Sequence, residues 1–185
     1  MHAHKIQLLA ALLAITATST ASAQAGSGLM SDLSKDVSDV RQKLVGLVKT
    51  IPADKYDWRP GPGVRSVREV FLHVASDNYL LPSAFGVPID PATGIVATDF
   101  TTLGKFEKQN LGPDAVAAAL EKSFDHLAKA MKETPDAKLA EHFKFFGQDF
   151  TGQRLWVLTT THLHEHLGQA IAYARTNGVV PPWSK

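Results

Sequence analysis

Apolar residues recur every three or four positions in four stretches of the chain. In the first, Met30 to Lys49, one stripe is formed by Leu33, Val37, Val40, Leu44 and Leu47. This is the 3.6-residue signature of an amphipathic helix. Ser31 or Ser34 is its candidate N-cap, and Ile51-Pro52 closes it. The second stretch is entered through Pro60, Gly61, Pro62 and Gly63, which forbid regular structure. Ser66, with Glu69 three residues later, then has the spacing of a capping box. A helix is expected from Val67 to about Ala84, with Val70, His73, Asp77 and Leu80 or Leu81 on its inner stripe and Pro82 in its last turn. The third begins at Pro113-Asp114, carries Val116, Leu120, Phe124, Leu127 and Met131, and stops before Pro135. The last runs from about Gly152 to Thr176, where Asn177-Gly178 is a C-terminal stop and "VVPPW" an extended tail.

Between these stretches the pattern fades. Residues 86–112 mix Pro, Gly, Thr and Asp without a clear period, and read as a long crossing with room for a short helical turn. "DAKLAEHFKFFGQDFTGQ" reads as a turn and loop. Four helices, little strand signal and one long connection predict an all-α four-helix bundle with a crossover.

The start of the chain changes where that domain begins. Lys5 is followed by an apolar run from Ile6 to about Ile15 and then by small residues ending in Ala21-Ser22-Ala23. This is the layout of a cleavable secretory signal. The apolar run is shorter than the ~20 residues needed to span a bilayer. Residues 1–23 are therefore expected to be a leader, residues 24–185 a single folded domain, and the mature protein periplasmic or secreted, without stable membrane insertion. Losing Lys5 from 19 basic residues leaves 18 against 18 acidic ones, so nothing in the charge points to nucleic acid. The chain has no cysteine, which excludes disulfides, thiolate zinc sites and a cysteine nucleophile. Any metal must be held by histidine and carboxylate.

The candidate chemistry lies in "THLHEHLGQ", which holds three of the eight histidines. On a helix, residues four apart stack on one face, so His162 and His166 pair. His164 points away, roughly 200° from His162. On a strand all three would share a face, but the periodic stretch is far longer than an ordinary strand. The same face carries Leu155, Thr159, Gln169 and Tyr173. Polar groups on an inward stripe are costly unless something binds them. Of the remaining candidates, His126 beside Asp125 is expected to be exposed and His142 falls in the loop segment. His73, inside a capped apolar helix, is the best third ligand. "HEHLG" is not a zinc-protease HExxH, since Gly168 stands where its second histidine belongs, and "GPGVRS" lacks the spacing and ending of a phosphate loop.

At this point the chain resembles the DinB/YfiT-like superfamily. "WRPGPGVRSVREVFLHVASDN" is similar to that family's W-x-P … S-v-x-E-x-x-x-H entry to the second helix. "HLHEHLGQAIAYARTNGVVPP" is similar to its H-x-x-x-H-x-G-Q followed by R-x-x-G-x-x-P. The match follows chain order over most of residues 24–185 and assigns the family's histidines to His73, His162 and His166. The resemblance implies a four-helix bundle, often dimeric, with a three-histidine site for zinc or nickel. It implies hydrolase or thiol-dependent transferase chemistry. The leader departs from relatives that use bacillithiol or mycothiol, which are cytosolic.

The expectation is one divalent metal ion on three neutral histidines and an open position for a small-molecule substrate. There the ion would acidify water towards a pKa of about 7, or bind a thiol. Gln169 and Tyr173, one and two turns past His166, are candidates to orient a ligand or the metal's water. Asp77, one turn from His73, is a candidate general base or acceptor for a histidine N–H. The rival is a non-catalytic metal-binding or structural bundle of the cell envelope, whose metal is absent or only stabilises the fold.

Overall fold

The computed structural model describes residues 17–184, with side chains described for 28–184. The chain forms α1 (Ala17–Thr50), α2 (Val67–Ser83), α3 (Thr101–Glu107), α4 (Pro113–Glu133), α5 (Asp136–Ala140), β1 (His142–Phe145), β2 (Gln148–Thr151) and α6 (Gly152–Thr176). The four long helices make the bundle. α1 packs on α4 and α6, and α2 packs on the same two, so α2 and α6 are neighbours along one edge.

All four stripes face one core. Val40, Leu44 and Leu47 of α1, Leu72 and Val74 of α2, Leu120, Phe124 and Leu127 of α4, and Trp156 of α6 are sealed from solvent within it. Among the described residues no helix is long and apolar enough to cross a membrane. α1 reaches back to Ala17, beyond its expected start at Met30. Ser31 and Ser34 therefore lie inside the helix, exposed, and cap nothing. The alanine-rich segment before them favours helix. The expected cleavage after Ala23 would leave the apolar stripe of α1 whole. The leader's apolar run lies outside the described residues.

The entry to α2 is locked by local bonds. The Glu69 amide donates to the Ser66 hydroxyl and the Ser66 amide donates to the Glu69 carboxylate, completing the capping box. Just upstream, the buried Tyr56 hydroxyl donates to the Val48 carbonyl at the end of α1 (2.6 Å). The amides of Val67 and Arg68 donate to the carbonyls of Trp58 and Tyr56. The start of α2 is thus tied to the end of α1, which fixes where His73 sits along the bundle.

One segment departs from expectation. Residues 136–151 are not a loop. α5 is followed by an antiparallel hairpin in which His142 pairs with Thr151 and Phe145 with Gln148. Its turn is Phe146-Gly147, both with positive φ (49° and 73°). Phe143, Phe145 and Phe150 gather around Leu81 and Leu155 in a small second apolar cluster. Gly152 then starts α6 against α5, where a Cβ would collide with the Lys138 carbonyl. The crossing, 86–112, contains the short helix α3, which packs on α2. His126 is half-buried rather than exposed. It lies beside the bundle stripe, but the Tyr79 ring covers it at 5.0 Å.

Candidate metal centre

α2 and α6 bring His73, His162 and His166 together. Each offers a ring nitrogen, and the three nitrogens lie within 4.8 Å of one another. His162 Nε2 is 3.3 Å from His73 Nε2 and 3.1 Å from His166 Nε2. Ligands bound at 2.0–2.1 Å to a tetrahedral zinc stand about 3.3 Å apart, so this spacing fits a first-row divalent ion. His164 faces the other way. It is exposed, and its Nδ1–H donates to the Thr160 carbonyl one turn back. His142 is exposed on β1 and takes no part.

The outer edges of two rings set their tautomers. His73 Nδ1–H donates to Glu107 Oε1 (2.8 Å), and Arg65 grips the same carboxylate through Nε (2.8 Å) and Nη2 (3.3 Å). Burial acts to raise the Glu107 pKa, but the hydrogen bonds from His73 and Arg65, with their charges, outweigh it and hold the carboxyl below its usual range. An ionised carboxylate only accepts, so His73 keeps its proton on Nδ1 and turns a lone pair inward. His166 Nδ1–H donates to Gln169 Oε1 (2.8 Å), while Gln169 Nε2 donates to the Tyr173 hydroxyl (3.1 Å). Tyr173 in turn meets the Trp58 ring edge-on at 5.3 Å. His166 is therefore also Nδ1-protonated, with Nε2 facing the trio.

The lone pairs of His73 and His166 thus face the space that His162 Nε2 also borders, an arrangement that a bound cation would stabilise. A proton is a poor substitute. Burial, and to a lesser extent repulsion from His162 and His73, push the His166 pKa down to about 4 against the Gln169 hydrogen bond. The three histidines could hold a metal ion, and imidazole donors suit zinc, copper, iron and nickel alike.

Asp77 lies on the opposite side from those supports. Its Oδ2 is 3.1 Å from His162 Nε2 and 3.6 Å from His73 Nε2. It therefore sits at the inner edge of the trio rather than behind a ring. Gln169 and Tyr173, considered from sequence as ligand-orienting groups, lie instead behind His166. Sequence reasoning missed Glu107 and Arg65. The one clue was general: a metal-binding histidine usually donates its other N–H to an acceptor.

A cavity of about 550 Å³ opens beside the trio. His73, His162 and Asp77 form one end with Arg65 and Glu107, and Leu80, Leu81, Leu103 and Leu158 supply apolar wall. His166 is buried behind them.

The family model of the DinB superfamily matches residues 37–170. Among solved structures, a DinB-like protein from Bacillus cereus ATCC 10987 is 16% identical with a TM-score of 0.66, covering 84% of this chain and 95% of its own. A DinB-like protein from Bacillus subtilis is 17% identical with a TM-score of 0.62, covering 83% of this chain and 97% of its own. Both show the same fold. No curated protein matches the chain.

Proposed function

The chain belongs to the DinB superfamily, and from that premise we propose that it is a metal-dependent hydrolase or transferase acting on a small molecule. The observation that carries this reading is the convergence of three imidazole nitrogens beside a cavity that also presents Asp77. A metal with a purely structural role needs no such opening; catalytic sites keep one position free.

His73, His162 and His166 bind one zinc or nickel ion as neutral ligands. That ion supplies Lewis acidity, polarising a substrate oxygen and acidifying water or a thiol. Asp77 Oδ2, at the cavity side of His162 and His73, accepts the proton of the attacking water or thiol and returns it to the leaving group. Glu107, clamped by Arg65, and Gln169, held by Tyr173, keep two of the rings from turning. The leucine wall lowers the polarity beside Asp77 and the Arg65–Glu107 pair, which strengthens those charged contacts.

Water is the favoured nucleophile, because the leader expected at residues 1–23 would carry the protein away from cytosolic thiols. On this reading the protein works in the periplasm or outside the cell, and its exported form begins at Gln24 by intact mass; a full-length product in the native cell would end it. The test of the chemistry is dialysis of untagged protein against zinc and nickel, followed by a screen of esters, amides and thiol acceptors. We expect about one ion per chain and turnover that Asp77→Asn abolishes while metal content stays unchanged. Failure to bind either metal, or full activity in Asp77→Asn, would overturn the reading.

A further inference from the structure

The mouth of the cavity is formed by two phenylalanines from distant segments. Phe100 immediately precedes α3, and Phe146 occupies the hairpin turn; their rings lie 5.3 Å apart, tilted by 35°. Both are more than half exposed, at 52% and 58%. Leu158, 36% exposed on α6, lies on the same cavity wall.

Phe146 stands where local physics favours something polar. Phe146 has φ 49°, a left-handed conformation that L side chains resist and that Asn tolerates much better. In a two-residue turn with positive φ at both positions, Asn-Gly is the preferred pair. Phe100 opens α3 with helical φ and ψ (−64° and −14°), and the cap ahead of it is Asp99, whose Oδ1 accepts from the Thr101 amide (3.0 Å). Neither ring is buried in the core. One local rule is broken at Phe146, its ring lies against the exposed ring of Phe100, and both rings line the cavity. Departures of this kind gather at functional sites.

The charges deeper in the cavity are already engaged. Arg65, the one cation lining it, is bound twice by Glu107, and Asp77 lies against His162. With Arg65 engaged, no arginine or lysine among the described lining residues is free to bind an anionic substrate group, and the leucine wall offers nothing to a strongly hydrated one. We propose that Phe100 and Phe146 are an aromatic clamp, and that the substrate is a small uncharged molecule bearing an aromatic or similarly bulky apolar group. The clamp and the leucine wall grip that group while the reactive end lies at His73, His162 and Asp77. The link to the reacting end rests on the metal-dependent reading above; the clamp itself does not.

Two titrations separate the two ideas. In the first, metal-free protein is titrated with 2-naphthol, which is neutral and does not chelate. The wild type should bind it, and the Phe100→Ser/Phe146→Asn double variant should bind it at least about tenfold more weakly, as expected for loss of apolar contact area. In the second, zinc-loaded protein is titrated with benzohydroxamate and acetohydroxamate, which share a metal-binding head. The aryl probe should bind about tenfold or more tightly, and the double variant should lose that preference while retaining acetohydroxamate and its zinc. Failure of both hydroxamates with naphthol binding intact counts against the metal reading alone. Equal naphthol binding by wild type and double variant overturns the clamp. So does a Tm for Phe146→Asn lower than wild type by more than about 4 °C, which would mean the ring is kept for stability. Dissociation of a wild-type dimer by the double variant, with naphthol binding unchanged, also overturns it and assigns the patch to a second copy of the chain.

Discussion

His73 and His166 turn the same atom towards the same centre, but they are held there differently. His166 is held from within its own helix. Gln169 and Tyr173, three and seven residues on, form a neutral chain of hydrogen bonds along one face of α6. His73 is held from elsewhere. Glu107 comes from α3, 34 residues away, and Arg65 from the loop before α2, and the carboxylate that accepts from His73 is itself ion-paired to Arg65. Hydrogen bonds to charged groups are worth about 1.5–3 kcal/mol against about 0.5–1.5 for neutral ones. The charged support should therefore carry more of the site's geometry, although it is built from the less regular part of the chain.

Both supports depend on a rigid bundle, so the largest effect should come from the core that holds them. Leu44→Ala or Leu120→Ala, each at a sealed position, should cost about 2–5 kcal/mol of stability in denaturant unfolding. Less than about 0.5 kcal/mol at both positions, the level of ordinary surface changes, would place these faces outside the core.

The comparison itself is sharpened at its two outer partners. Glu107→Gln keeps the shape but removes the charge, and should weaken zinc affinity by about 10–100-fold, as changes behind a metal ligand commonly do. Gln169→Leu removes a neutral bond and should weaken it by about 2–10-fold. Competition with a chromophoric chelator reads both. The reverse ranking would mean that the local support is the stronger one.

A smaller effect should appear in the metal-free protein as a function of pH. His166 has a folded pKa near 4 against about 6.5 in the unfolded chain. Between those values the unfolded state binds more protons, so stability falls as pH drops from about 6.5 towards 4. The groups acting on His166 there are His162, His73, Gln169 and Glu165. His166→Gln should lose less stability between pH 7 and 5 than the wild type, measured by urea midpoints. Parallel losses would show that His166 is not held neutral.

What could be read from the sequence follows the same division. The i, i+4 spacing of His162 and His166, the capping box that positions His73, and the four apolar stripes are all local regularities, and a helix repeats them often enough to be seen. Glu107 offers no such signal. α3 spans Thr101–Glu107, too short for a stripe to declare itself, and its partner is defined only by tertiary packing. The hairpin was obscured for two reasons. Its strands are four residues each, and its turn carries Phe-Gly where Asn-Gly would have been the recognisable sign. Helical spacing placed His126 off the stripe but said nothing of Tyr79 folding over it. Gln169 and Tyr173 were correctly placed on the histidine face of α6, yet spacing along one helix does not say which edge of an imidazole a neighbour reaches.

The central claim is that His73, His162 and His166 bind one divalent ion and His164 does not. It is tested most directly by the metal content of four single alanine variants, purified without a tag and dialysed against zinc at neutral pH. His73→Ala, His162→Ala and His166→Ala should each lose most of their zinc, while His164→Ala should keep about one ion per chain, as the wild type does. Zinc lost from His164→Ala but kept by His162→Ala, or retained by all four, would contradict the account.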